Sequence, residues 1–298
     1  MKIDKSWIDQ IWLHITVFIL GFTGILGKTI TLDGVSLVWW RVGIAFFALL
    51  PIIILLRTKK IFLPFKVIAF ALFTGFVVGL HWITFFHAIK ISNVSVTLAA
   101  LSSTTLMVSL LEPIFQKKKI SPIQVLLGIL IMIGLSIILI DEHNFQLGLF
   151  VGLLSAILAA LFTILNKKIS FYNADALVLC TWEMLGAFIS ISIILLFSDI
   201  LPKTLPTNID LFWLLILGVI CTALTFSISI WLLERLTAYQ VTLAINMEPI
   251  YGILLAALIF HENNELKLSF YLGSLFIIGA VIFYSVYNRK KQVQLKRY

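Results

Sequence analysis

Charge is what this chain has least of. Only 12% of its 298 residues are Asp, Glu, Lys or Arg, 61% are hydrophobic, and the mean hydropathy is +1.09. A soluble domain is about a quarter charged and about half apolar, so too little polar surface remains to wet even one. Cysteine is as scarce: Cys180 and Cys221 alone exclude a disulfide scaffold. Neither has His, Cys or carboxylate neighbours at ligand spacing, so no metal is expected, and no cofactor is expected either. The apolar runs are continuous rather than alternating, which excludes a β-barrel. A net charge of +8 would suit nucleic acid in a soluble protein, but the basic residues sit between the apolar runs and argue against that partner. What is present in quantity is material for spanning helices, and the chain reads as an all-α integral membrane protein whose surroundings are the lipid bilayer.

A spanning helix needs about 20 mainly apolar residues, because lipid offers an exposed backbone no partners. Ten segments qualify, at roughly 12–31, 35–56, 66–87, 92–116, 121–140, 145–165, 174–197, 211–233, 237–260 and 268–287. The first is too long for a signal peptide and has no small-residue cleavage site after it. Orientation follows from Lys and Arg. With the N-terminus inside, the inner segments hold Lys2, Lys5, Arg57, Lys59, Lys60, Lys66, Lys117, Lys118, Lys119, Lys167, Lys168 and Arg235, and the tail adds five more, for 17 of the 22. The outer loops hold only Lys28, Lys90, Lys203 and Lys267, while Arg41 lies within the membrane. Both termini are therefore expected to be cytoplasmic, and in a bacterial host the location is the cell inner membrane, multi-pass.

The chain also repeats itself. Val96-Thr97-Leu98-Ala99 returns as Val241-Thr242-Leu243-Ala244, Leu127-Gly128 as Leu272-Gly273, and Ile133-Gly134 as Ile278-Gly279. Thirteen of the fifty positions in 91–140 are identical to 236–285, without a gap, at an offset of 145. A rival register pairs Leu111-Glu112-Pro113-Ile114 with Met247-Glu248-Pro249-Ile250, but it sets Gly128 against Asn264 and reads as coincidence. A weaker echo pairs Ile25-Leu26-Gly27-Lys28 with Ile164-Leu165-Asn166-Lys167, and Trp40-Arg41 with Trp182-Glu183. Two units of five helices follow, 1–141 and 142–298. Five is odd, so the second enters the membrane upside down, and inverted repeats around a midplane site are typical of secondary transporters.

Ten helices as five plus five, Gly27-Lys28 near the end of the first, Arg41 in the second and the pattern Glu262-x10-Gly273-x5-Gly279 resemble the EamA-type branch of the drug/metabolite transporter superfamily. The resemblance implies a carrier of a small-molecule solute, a metabolite or amino acid, commonly an exporter. It also implies a central cavity lined by helices one, three and four and their partners six, eight and nine.

Ionisable groups inside a bilayer are costly and mark candidate sites. Glu248 lies near the midplane of the ninth segment, and Pro249 after it is expected to kink that helix and free the carbonyl of Ile245. Asn246 and Tyr251 are its neighbours, and Ser103-Thr104 of the fourth segment are the equivalents of Glu248-Pro249 at the offset of 145. These are the candidate solute-binding residues, with protons as a candidate coupling ion through Glu248; the alternative is a satisfied structural carboxyl. Arg41 and Glu183 sit about ten Å from opposite membrane faces, and either pair with each other or face separate partners, in a structural or coupling role. His81 and Trp82 are candidate cavity residues. Lys28 sits over a possible narrow helix crossing at Gly21 and Gly24, or reaches water. Glu112, five residues before Lys117, reads as an interface residue paired with the basic run.

Gly27-Lys28-Thr29 looks like part of a phosphate loop, but the glycine needed five residues earlier is Phe22. The rival function is an integral-membrane enzyme acting on a lipid or isoprenoid phosphate. It would need charged catalytic groups on sizeable loops, and the longest connection, around 198–210, offers only Asp199, Lys203 and Asp210. The chain is therefore not expected to be an enzyme.

Overall fold

The structure is a computed structural model and describes residues 5–55, 63–138, 146–172, 174–197, 205–259 and 268–295. Glu262 and the basic loop residues Arg57, Lys59 and Lys60 lie outside them. The described residues form helices and no strand: α1 (Lys5–Thr29), α2 (Gly34–Leu55), α3 (Phe65–Ile91), α4 (Val94–Leu101), α5 (Ser103–Phe115), α6 (Pro122–Ile138), α7 (Gln146–Ile169), α8 (Ala176–Phe197), α9 (Asn208–Leu215), a π-helical stretch Ile216–Leu224, α10 (Thr225–Leu233), α11 (Ala238–Ile245), α12 (Glu248–Ile259) and α13 (Leu268–Leu295). Among the described residues, seven helical runs are long and apolar enough to cross a membrane, and Pro122–Ile137 and Tyr271–Tyr284 are shorter apolar helices.

Burial is arranged as lipid demands. Large apolar side chains such as Phe47, Leu55, Phe73, Leu126, Phe150, Leu196 and Leu275 face outward, whereas Arg41, Glu183, Thr105, Asn166 and Asn246 are buried. In water this distribution would expose a continuous apolar surface far beyond what a soluble monomer carries.

Three interruptions have local causes. Between α4 and α5 the hydroxyls of Ser102, Ser103 and Thr104 donate to the carbonyls of Ala99, Ala100 and Leu101, three residues back. They compete there with the backbone amides for the same acceptors. Between α11 and α12 the chain turns at Asn246–Met247, because Pro249 has no amide to return to Ile245. The expectation of one helix over 237–260 kinked by Pro249 is thus corrected: a new helix starts at Glu248, and Pro249 falls in its first turn, where proline costs least. In the π stretch, the Thr222 hydroxyl donates to the Leu217 carbonyl, five residues back, at 2.6 Å.

Helix starts are capped by their own side chains: Asp33 accepts from the amides of Val35 and Ser36 before α2, and Thr207–Asp210 and Thr237–Gln240 are capping boxes. Asp210 also accepts from the amide and hydroxyl of Thr31, at 2.8 and 2.7 Å, which ties the end of α1 to the start of α9. At the opposite end Arg235 pairs with Asp9 at 3.0 Å. Glu112 does not pair with the basic run; its carboxylate accepts from the amides of Ala238 and Tyr239 at 3.2 and 3.1 Å, holding α11 by its N-terminus. Glu112→Ala is expected to cost about 2 kcal/mol, read as a lower melting temperature of the purified protein.

Packing brings α2 against α8, α3 against α7 and α8, α1 against α10 and α12, and α6 against α13. Two close crossings depend on glycine. A Cβ at Gly75 of α3 would fall on the carbonyl of Glu183, and one at Gly218 would lie 2.6 Å from Ile44 and 3.1 Å from the carbonyl of Arg41.

Candidate functional site

A cavity of about 100 Å³ lies in the centre of the bundle. At the ~30 Å³ that each water takes up in the liquid, it has room for about three. Its walls come from α1 (Leu20, Thr23), α3 (His81, Trp82, Phe85), the α4–α5 run (Leu101, Thr104), α7 (Phe162, Thr163, Asn166), the π stretch with α10 (Cys221, Thr225, Phe226), and the α11–α12 run (Thr242, Glu248). These are the walls the family resemblance implies, and α2 adds Arg41.

Arg41 is the one guanidinium in these walls. It is 1% exposed; Nε donates to the Thr222 hydroxyl at 2.6 Å and one Nη to the Cys221 carbonyl at 3.3 Å. Its charge lies 4.1 Å from the centre of the Trp82 ring and 5.5 Å from that of Phe86, a stacked arrangement that planar guanidinium suits and ammonium does not. The remaining nitrogen, Nη1, is buried with no partner. Glu248 is 5% exposed and makes no side-chain hydrogen bond among the described residues, and Arg41 is close enough to act on it electrostatically. The cavity walls therefore hold one buried, unspent donor and one unspent carboxyl.

His81 is fixed rather than free. Its Nδ1 lies 3.0 Å from the Ser155 carbonyl, and the Ser155 hydroxyl donates to the His81 carbonyl at 3.0 Å. That network assigns the proton to Nδ1 and leaves Nε2 as an acceptor. The ring packs 5.2 Å from Phe162, which lies 5.7 Å from Phe226, while Trp82 lies 5.5 Å from Phe226. Four aromatic rings so contribute to one wall system around the polar pair.

The sequence candidates divide. Glu248, Thr104, His81, Trp82 and Arg41 meet at the cavity. Ser103 turns its hydroxyl to Ala100, and Asn246 donates to the Thr105 hydroxyl across the bundle, joining the two interrupted runs near their breaks. Tyr251 packs edge-on to Phe18, 5.7 Å away, and over Gly21. Lys28 is exposed. Glu183 does not reach Arg41: it stands behind Asn166, which donates to it at 3.2 Å. Pro249 shapes the backbone at the start of α12. Asn166 is the cavity residue that sequence reasoning passed over, because Lys167 and Lys168 beside it make it look interfacial. Its alignment with Gly27 in the weaker repeat echo was the available signal.

A larger groove of about 1210 Å³, lined by Trp12, Ile52, Phe171, Leu224, Trp231 and Glu234, lies on the outside of the bundle. Its residues on α10 alternate with those facing the cavity, so the helix separates the two.

The EamA-like transporter family model matches residues 7–140 and again 146–286. Together the matches take in nearly the whole chain, once on each side of the cavity. The chain belongs to the EamA-like transporter family. It is accordingly a multi-pass membrane transporter of the drug/metabolite transporter superfamily, and a transporter implies a small-molecule solute and a bilayer. A solved structure described as "Crystal structure of protein" is 12% identical with a TM-score of 0.75, covering 93% of this chain and 96% of that one, so the fold is shared. No curated protein matches the chain significantly.

Proposed function

We propose that this family member is a secondary transporter that exports a small metabolite or amino acid by alternating access through the central cavity. In this reading ten spans form two inverted five-helix repeats, 1–141 and 142–298, with both termini cytoplasmic and the protein in the cell inner membrane. The single observation that carries it is the cavity itself. It is walled by residues of both matched segments, and it brings together the carboxyl of Glu248 and the buried guanidinium of Arg41, one of whose nitrogens has no partner.

The packing supports the inverted arrangement. α2 meets α8 and α6 meets α13, each the other's counterpart, while α3 lies on α7 as α1 lies on α10. Gly75 approaches the Glu183 carbonyl as Gly218 approaches that of Arg41. The helix breaks at Ser102 and at Asn246–Met247 also agree with the offset of 145, and ties at both ends, Thr31–Asp210 and Asp9–Arg235, join the two segments. Glu248, Thr104, His81 and Trp82 would touch the solute, Arg41 would anchor it, and Asn246, Tyr251 and Ser103 would hold the walls. Export is the direction the resemblance implies.

The test is a metabolite comparison of cells with and without the protein, followed by counterflow of the accumulating solutes in sealed proteoliposomes. Intact solute should cross, and Glu248→Gln should reduce its flux at least tenfold and flatten its pH dependence. Chemical conversion of the solute would overturn the reading. Normal flux and pH dependence in a well-expressed Glu248→Gln would remove Glu248 from it.

A further inference from the structure

The pair behind the cavity wall has an incomplete set of bonds. Asn166 and Glu183 are 1% and 0% exposed. Asn166 Nδ2 donates to Glu183 Oε2 at 3.2 Å, while Glu183 Oε1 and Asn166 Oδ1 have no partner and no surface that a water could touch. Both leftover atoms are acceptors, and a hydrogen carried by one of them satisfies both together. A carboxylic acid and a primary amide form a closed ring of two hydrogen bonds, one from the amide nitrogen and one from the acid hydroxyl. The structure holds the first of these, and the two orphaned oxygens are the atoms that the second would join.

The electrostatics agree. Among the described residues no cation pairs with Glu183, and Arg41 is committed to Thr222, Cys221 and the face of Trp82. A buried carboxylate without a cation costs several kcal/mol and is relieved by taking up a proton.

We propose that Glu183 and Asn166 form a proton-binding site beside the cavity, separate from Glu248, in which Glu183 is held as the neutral acid. The proton comes from water: the carboxylate gains one at Oε1 when the ring closes and returns it to water when the ring opens. Asn166 faces the cavity from α7, Glu183 belongs to α8, and Gly75 of α3 rests on the Glu183 carbonyl. Relative movement of these three helices therefore opens or closes the ring. The use of this proton in coupling rests on the transport reading above; its presence does not.

The experiment is infrared spectroscopy of the full-length protein in liposomes at neutral pH, in H2O and in D2O. The wild type should show the carbonyl band of a protonated carboxyl, shifted by deuterium. Glu183→Gln should fold, because its amide completes the same two-bond ring, and should lose that band. Asn166→Ala should keep the band but move it to higher frequency, since the carbonyl loses its donor. Equal acid-band intensity in wild type and Glu183→Gln overturns the proposal. If Glu183→Gln does not fold, an unmoved band in Asn166→Ala overturns it instead. A wild type that carries no solute yet shows the band and both shifts would defeat the transporter reading and leave the proton site standing.

Discussion

Arg41→Lys lowers solute counterflow by about 30-fold or more, and Arg41→Met does the same. Arg41 makes three contacts through one planar group, with Thr222 through Nε, the Cys221 carbonyl through one Nη and the Trp82 ring beneath, and its Nη1 is left without a partner in the cavity wall. A lysine can place a charge there but cannot hold that fork or that stack. Losing a buried charged contact to a ligand costs about 2–5 kcal/mol, which corresponds to about 30-fold or more in affinity. A melting curve belongs beside the flux measurement, because withdrawing the cation also leaves the buried Glu248 carboxyl without its electrostatic neighbour. Flux within about twofold of wild type in Arg41→Lys would return the residue to a purely structural role.

Gly75→Ala is expected to be the most damaging single methyl in the bundle. Its Cβ would land on the backbone of Glu183, where the carbonyl carbon is 2.8 Å away and the Cα 2.9 Å. Backbone cannot rotate aside as a side chain can, so α3 and α8 must separate. Overpacking costs about 1–3 kcal/mol, and this site belongs at the top of that range. The purified variant should melt well below the wild type. Gly279→Ala is the control: a Cβ there meets nothing within 4 Å, and because alanine also favours the helix interior its melting temperature should not fall.

The parts legible in the sequence were those that a single helix can express. Glu248, His81 and Trp82 are polar or aromatic groups deep in apolar runs and came forward by that contrast, and Thr104 came forward through the offset of 145. Arg41 stood out equally, but its partner did not. Thr222 becomes available through a π stretch, which changes the helical period locally and so defeats a wheel drawn at 3.6 residues per turn. Pro249 signalled trouble in the ninth run correctly, yet where the chain would yield depended on Asn246 finding Thr105 on another helix. The interruption at Ser102 needed three adjacent hydroxyls to turn inward on their own backbone, a choice that Ser and Thr make only in context. Glu112 was read by its neighbours in sequence and turned out to serve an amide pair more than 120 residues away.

The interrupted runs have a mechanical consequence. A rod sawn through at mid-length does not carry a push from one end to the other. Because the chain breaks beside the cavity at Ser102 and at Asn246–Met247, its floor and its ceiling hang on separate short levers. In the alternating-access reading proposed above, one lever swings while its other half stays docked, which is the condition for a passage whose two doors never stand open together.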